Sequence, residues 1–159
     1  MPSAEERAAR RHLRRGSAAL VQKKWAEATA QLSEAVRLSP QSYGAWVNLG
    51  LALFHQGQYT PAIERFTQAT EVDPRRPQAW LNLAAAEAAL GTLDRAREAL
   101  ERVAREHPRH PDVHYNLAAL YLRQDQPLLA LAELELELAD HPRHRLAREL
   151  QRRMQGFAS

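Results

Sequence analysis

The chain of 159 residues contains no cysteine. That excludes disulfides, thiolate metal sites and cysteine nucleophiles, and it fits a reducing compartment. The N-terminal residues have no apolar run of the secretory type, and Glu5 and Glu6 interrupt what would otherwise resemble an arginine-rich transit segment. No long hydrophobic run crosses the chain either. The longest stretch without Asp, Glu, Lys or Arg, residues 38–63, is broken by Pro40, Gln41, Asn48, His55, Gln56, Gly57 and Gln58, so it does not suit a membrane span. The expectation is a soluble, cytoplasmic protein. Glycine is scarce at six residues, and none lies in a phosphate-cradling loop. No serine or histidine stands in a nucleophile motif. The expectation is no enzymatic activity and no cofactor.

What is present is ordinary for a globular chain, at 45% hydrophobic and 26% charged. The charge is unevenly spread. Residues 1–24 carry a net +5, residues 143–159 a net +4, and the stretch between them a net −6. The basic character therefore belongs to the two ends.

The organising feature is a period of 34. Prolines stand at 40, 74, 108 and 142. Twelve residues before each lies an alanine (Ala28, Ala62, Ala96, Ala130), and eight before each a large apolar residue (Leu32, Phe66, Leu100, Leu134). Each unit reads as two helices, A and B, with a tight break at Lys23, Gly57, Gly91 or Asp125 and a stop at the proline. The stretch Ala132–Asp140 alternates apolar and polar like a strand, but the register makes it the end of a B helix. Glu137 then falls where earlier copies carry Ala35, Ala69 and Val103, with Arg145 or Arg148 as its expected partner. Leu146, Leu150, Met154 and Phe157 form an apolar stripe expected to pack a ninth, capping helix on the last repeat.

The line Trp46, Leu49, Gly50, Leu53, Ala62, Phe66, Ala69, Pro74 resembles the tetratricopeptide repeat (TPR) signature. Trp80 to Pro108 repeats most of it, and His114 to Pro142 repeats it more loosely. The resemblance implies an all-α fold, a right-handed TPR α-solenoid of four helix-turn-helix repeats plus a C-terminal capping helix. The expected layout is one domain, 1–159, with repeats at about 9–42, 43–76, 77–110 and 111–144 and the capping helix at about 144–157. It also implies a protein-binding scaffold or adaptor whose A helices line a concave groove taking a peptide or partner helix. By the family's register the sixth places of the units are Arg14, Asn48, Asn82 and Asn116. The asparagines either grip a peptide main chain or are framework satisfied by their own scaffold. Groove residues expected from the same mapping are Arg10, Arg14, Val47, Asn48, Leu51, His55, Leu81, Asn82, Tyr115, Asn116 and Arg123.

Other readings follow from the residues. The tryptophans Trp25, Trp46 and Trp80 fall at repeat positions expected to be core. His107, His110, His114, His141 and His144 recur with the turns, so the expectation is no metal site. The carboxylate clamp of chaperone-binding TPR domains is not matched: in register the chain supplies Leu13, Ser17, Asn48, Gln78 and Asn82. That speaks against chaperone C-terminal tails. The alternative function is an electrostatic tether, in which the basic terminal helices hold nucleic acid, anionic membrane or an acidic protein. The acidic middle speaks against the first two. Self-association through terminal repeats is a further partner reading.

Overall fold

A computed structural model describes residues 1–156. Phe157, and with it the end of the expected apolar stripe, lies outside them. All regular structure among the described residues is helical: α1 (Ala4–Val21), α2 (Trp25–Leu38), α3 (Tyr43–His55), α4 (Tyr59–Val72), α5 (Pro77–Leu90), α6 (Leu93–Glu106), α7 (Val113–Arg123), α8 (Pro127–Asp140) and α9 (Arg145–Gly156). The stretch that alternates like a strand is the second half of α8. The chain groups into two compact units, Met1–Leu90 and Gly91–Ser159.

The 34-residue spacing is written into the backbone. Lys23 (φ 57°), Gly57 (73°), Gly91 (92°) and Asp125 (56°) are left-handed at the same place in successive repeats. In the turns at Lys23, Gly57 and Asp125 the residue after the left-handed one donates its N–H back five residues: Lys24 to Ala19, Gln58 to Leu53 and Gln126 to Tyr121. This is the Schellman closure, which satisfies carbonyls at the end of one helix while reversing the chain into the next. Each B helix ends at a cap residue (Ser39, Asp73, His107, His141) placed just before a repeat proline, which cannot continue the helix ladder.

In the first unit α1 pairs with α2 and α3 with α4. α2 packs on α3, α4 on α5, and the A helices α1, α3 and α5 touch in sequence. Its core is built from Ala28, Leu32, Ala35, Leu49, Ala52, Ala62 and Phe66, all at most 4% exposed. Ala28 and Ala62 are fully buried, because a methyl group lets two helix backbones approach closely. Gly50 goes further: a Cβ there would overlap the ring of Phe66. Burying a side chain of Phe size contributes ~1.5–3 kcal/mol, and the missing Cβ opposite makes room for it. In the second unit α6 packs on α7, α7 on α8 and α8 on α9. Ala96, Leu100, Val103, Leu117, Ala130 and Leu134 are its buried residues at matching places.

Two expectations are corrected here. Leu146 is 53% exposed, and the residue that α9 buries is Ala147. The reason is register: Ala147 stands one repeat after Val113, itself fully buried, while Leu146 follows the exposed Asp112. The tryptophans are half-buried rather than enclosed, and Trp46 packs against the core from its edge. Trp46 and Trp80 donate Nε1–H to the carbonyls of Pro40 and Pro74, six residues back, at 2.8 and 2.9 Å. In the next copy His114 takes over the same bond, Nε2 to the carbonyl of Pro108 at 3.0 Å. At Trp46 and Trp80 the indole thus clasps the preceding turn.

Candidate functional site

A helix N-terminus leaves backbone N–H groups without intrahelical partners, and the A helices satisfy theirs in different ways. Ser3 and Glu6 form a capping box on α1, and the Ser42 hydroxyl accepts from Ala45 on α3. On α5 the acceptor is remote: the Tyr43 hydroxyl takes the N–H of Ala79 at 2.8 Å. The Arg76 guanidinium lies 4.0 Å over the Tyr43 ring. Burial pushes the Tyr43 phenol above its ordinary value, and the Ala79 bond opposes that only in part.

On α7 the cap is Glu137. Its carboxylate is fully buried and accepts from the N–H groups of Asp112 (3.2 Å) and Tyr115 (3.3 Å). The expected arginine partner is corrected accordingly. The positive end of the α7 dipole and its free N–H groups hold the charge, and His144 stands 3.8 Å away. The Glu137 cap also accounts for Asp112, which sits at the N-cap in a left-handed conformation without capping through its own side chain.

Asp112, Glu137 and His144 bring three metal-type donor atoms within 4.8 Å of one another. The hydrogen bonds show how they are used. His144 Nδ1 accepts the N–H of Ala147 at the start of α9, which places the ring proton on Nε2. That nitrogen donates to Asp112 at 2.5 Å. An ion would have to displace this proton and reverse the cap on α9, since a metal-bound imidazole offers N–H at its other nitrogen. The set is a lock between the starts of α7 and α9 and the end of α8.

The expected groove residues divide by unit. In the first, Asn48 on α3 donates Nδ2–H to the Ser17 hydroxyl on α1 at 2.9 Å. Ser17 in turn donates to the carbonyl of Leu13. Asn82 on α5 accepts from Gln78 Nε2 at 3.1 Å, but its own Nδ2 is buried and has no partner. The difference is legible in the repeat: one period after Ser17 stands Leu51, which offers no acceptor. Leu51 and Leu81 are half-buried. Val47 is 6% exposed and packs with Tyr43, Ala69 and Ala79. It is unavailable to a ligand, which corrects its place among the groove residues. His55 is exposed but stacks on Trp25, with ring centroids 4.5 Å apart and planes 15° apart. Arg10 and Arg14 are exposed and line a shallow depression on α1 with Arg7 and Arg11.

In the second unit Asn116 is half-buried and makes no side-chain hydrogen bond among the described residues. Tyr115 packs near His144, centroids 5.1 Å apart, and lines a cleft with Leu146 and Leu150. Arg123 is exposed at the end of α7. The sequence named the asparagines and Leu51, and Ser17 only in the clamp comparison; it did not reveal the contrast between Ser17 and Leu51, which separates a satisfied amide from an unsatisfied one. The signal was available as a polar-to-apolar change at one repeat place.

No helix among the described residues is long and apolar enough to cross a membrane. No curated protein matches the chain. Among solved structures, YrrB, a TPR protein with an unusual peptide-binding site, shares 24% identity, with 86% of this chain covering 71% of that one at a TM-score of 0.78. MamA shares 18%, with 94% of this chain on 83% of that one and a TM-score of 0.82. The first TPR of Spaghetti, bound to an HSP90 peptide, shares 20%, with 75% of this chain on 94% of that one at 0.71. Family models described as tetratricopeptide repeat match residues 13–64, 53–106 and 87–154. With the 34-residue period, the left-handed turns and the buried alanines in place, the chain belongs to the tetratricopeptide repeat family, an all-α fold of protein–protein interaction adaptors.

Proposed function

We propose that the protein is a non-catalytic adaptor that holds an extended peptide of a partner protein against the A helices of its first unit. Asn82 is the central contact, and Asn48, Leu51, Leu81, Arg10 and Arg14 lie on the same helices. The observation that carries this reading is the Asn82 Nδ2 donor, buried and without an acceptor. A buried donor left unpaired costs ~1–3 kcal/mol; the residue as a whole is half-buried, and a turn of its amide that brings Nδ2 to the surface would let a peptide carbonyl recover that cost. An extended peptide suits the site because its carbonyls recur along the chain without regard to side chain. YrrB and the Spaghetti domain, both described with peptide sites, support the reading by analogy of fold. Asn48 carries framework: its donor is already spent on Ser17.

The test is affinity for a peptide selected from an extended-peptide display library against the wild-type protein. Asn82→Ala should weaken binding by ~0.5–1.5 kcal/mol, the net worth of one hydrogen bond, with the fold intact. Leu51→Ser, which offers Asn82 the acceptor that Ser17 gives Asn48, should weaken the same peptide. Unchanged affinity in both variants refutes the assignment. A steep loss with added salt that Asn82→Ala leaves untouched would favour the basic depression on α1 instead.

A further inference from the structure

The outer face of α8 departs from those of α4 and α6. Leu128, Leu129 and Leu136 are 80%, 49% and 50% exposed, and Ala132 and Ala139 are exposed between and beyond them. Positions 128, 132, 136 and 139 follow one another at helical spacing, so they form a continuous apolar stripe along the helix. In α6 the places of Leu128, Leu129, Ala132 and Leu136 hold Asp94, Arg95, Glu98 and Arg102. In α4 they hold Thr60, Pro61, Glu64 and Gln68. A B helix of this repeat is thus stable with a polar outer face, and packing within the unit does not require the leucines. The inner face of α8 is already provided for by Ala130, Leu134 and the capping Glu137, all fully buried. A helix apolar on both sides is normally covered on both.

Charge selects the occupant. α8 carries Glu133, Glu135, Glu137 and Asp140 and no basic residue. Glu133 is engaged by His114 and Glu137 by α7. Glu135 and Asp140 remain to edge the stripe. Glu135 is exposed and has no ion pair among the described residues, while Asp140 meets only a 3.8 Å approach from a largely exposed Arg109. A second copy of the same face would bring these carboxylates against their own kind, and an anionic membrane would be repelled. We propose that the outer face of α8 docks a basic amphipathic helix of a partner protein, with apolar residues at i, i+3 or i+4, and i+7 laid on Leu128, Ala132 and Leu136, and Lys or Arg facing Glu135 and Asp140. This surface is separate from the α3 and α5 site and does not rest on it.

The test uses the whole chain and a 14-residue peptide of leucine and lysine at helical spacing, with a leucine–glutamate counterpart as control. The leucine–lysine peptide should bind and become helical, and the control should not. Leu128→Gln with Leu136→Gln should weaken binding at least tenfold while leaving the circular dichroism unchanged, since neighbouring B helices carry polar residues there. Glu135→Lys with Asp140→Lys should shift preference toward the glutamate peptide, an independent readout if the leucine variant misfolds. Asn82→Ala should leave this binding unaffected. No binding by the wild type, equal binding by the leucine variant, or a wild-type dimer that the leucine variant abolishes would each overturn the proposal.

Discussion

Replacing Asn82 with leucine should stabilise the free protein, an unusual outcome for a change at a place that holds asparagine in three successive repeats. The structure supplies the terms. Nδ2 of Asn82 is buried without a partner, and removing such a group relieves ~1–3 kcal/mol of desolvation cost. The change also forfeits the bond from Gln78 to Asn82 Oδ1, which is exposed; losing it costs about 0.5 kcal/mol, the low end for a hydrogen bond. Leucine is close to asparagine in volume, and the position is half-buried. The net expectation is a gain of roughly 0.5–2 kcal/mol. Asn48→Leu is the internal control, and it should go the other way. Its Nδ2 bond to Ser17 is made, and breaking it costs about 1 kcal/mol. Urea unfolding with the slope held common reports both as midpoint shifts of opposite sign. For a chain of this size unfolding as one unit, each kcal/mol also moves Tm by ~2–4 °C. Destabilisation by Asn82→Leu comparable to that of Asn48→Leu would refute the reasoning, because the two amides would then be equivalent framework. Stabilisation joined to lost peptide affinity is the signature of a binding group held at a cost to folding.

The remaining predictions concern the scaffold. Gly50→Ala should destabilise by ~1–3 kcal/mol through overpacking, because its Cβ meets the Phe66 ring. Gly44→Ala, with nothing within 4 Å of its Cβ, should stabilise by up to about 1 kcal/mol through helix propensity; the paired Tm shifts check both. Glu137→Ala leaves the N–H groups of Asp112 and Tyr115 without their buried acceptor and should cost ~1–3 kcal/mol. Hydrogen exchange would place the loss at the start of α7. The Tyr43 phenol is pushed up by burial from a reference of 10.0, and that of Tyr121 likewise. The folded state therefore favours their neutral forms: the linked stability is present below pH 10 and is lost as pH rises through the raised values. Tyr43→Phe should flatten part of that alkaline loss in a pH series of unfolding midpoints, leaving the share of Tyr121.

The repeat could be read almost whole from the chain, because it is set by local chemistry that recurs. Prolines 40, 74, 108 and 142 stop helices wherever they occur. The four places of left-handed backbone follow from the same count, even where Lys23 and Asp125 replace glycine. What escaped was decided across repeats. Glu137 was read against the nearest arginines in sequence, whereas its charge is met by the first turn of α7, a dipole that no residue name announces. Leu146 looked core-facing by helical spacing within α9, but the register of the preceding A helices assigns that role to Ala147. Val47 was placed by the family's register in a groove, and the ring of Tyr43 and the methyls of Ala69 and Ala79 close over it. For the candidate site, the asparagine places were legible and their inequivalence was not. That inequivalence depends on whether the neighbouring A helix offers Ser17 or Leu51.

The assertion on which the functional account depends is that the Asn82 amide gives its free proton to a ligand. Its side-chain NH₂ resonances, identified by their absence in Asn82→Ala, report this directly during titration with the display-selected peptide. The account predicts that one proton of the pair moves downfield and becomes protected from exchange on saturation, while the Asn48 pair stays in place. Saturated binding with the Asn82 resonances unmoved would contradict it.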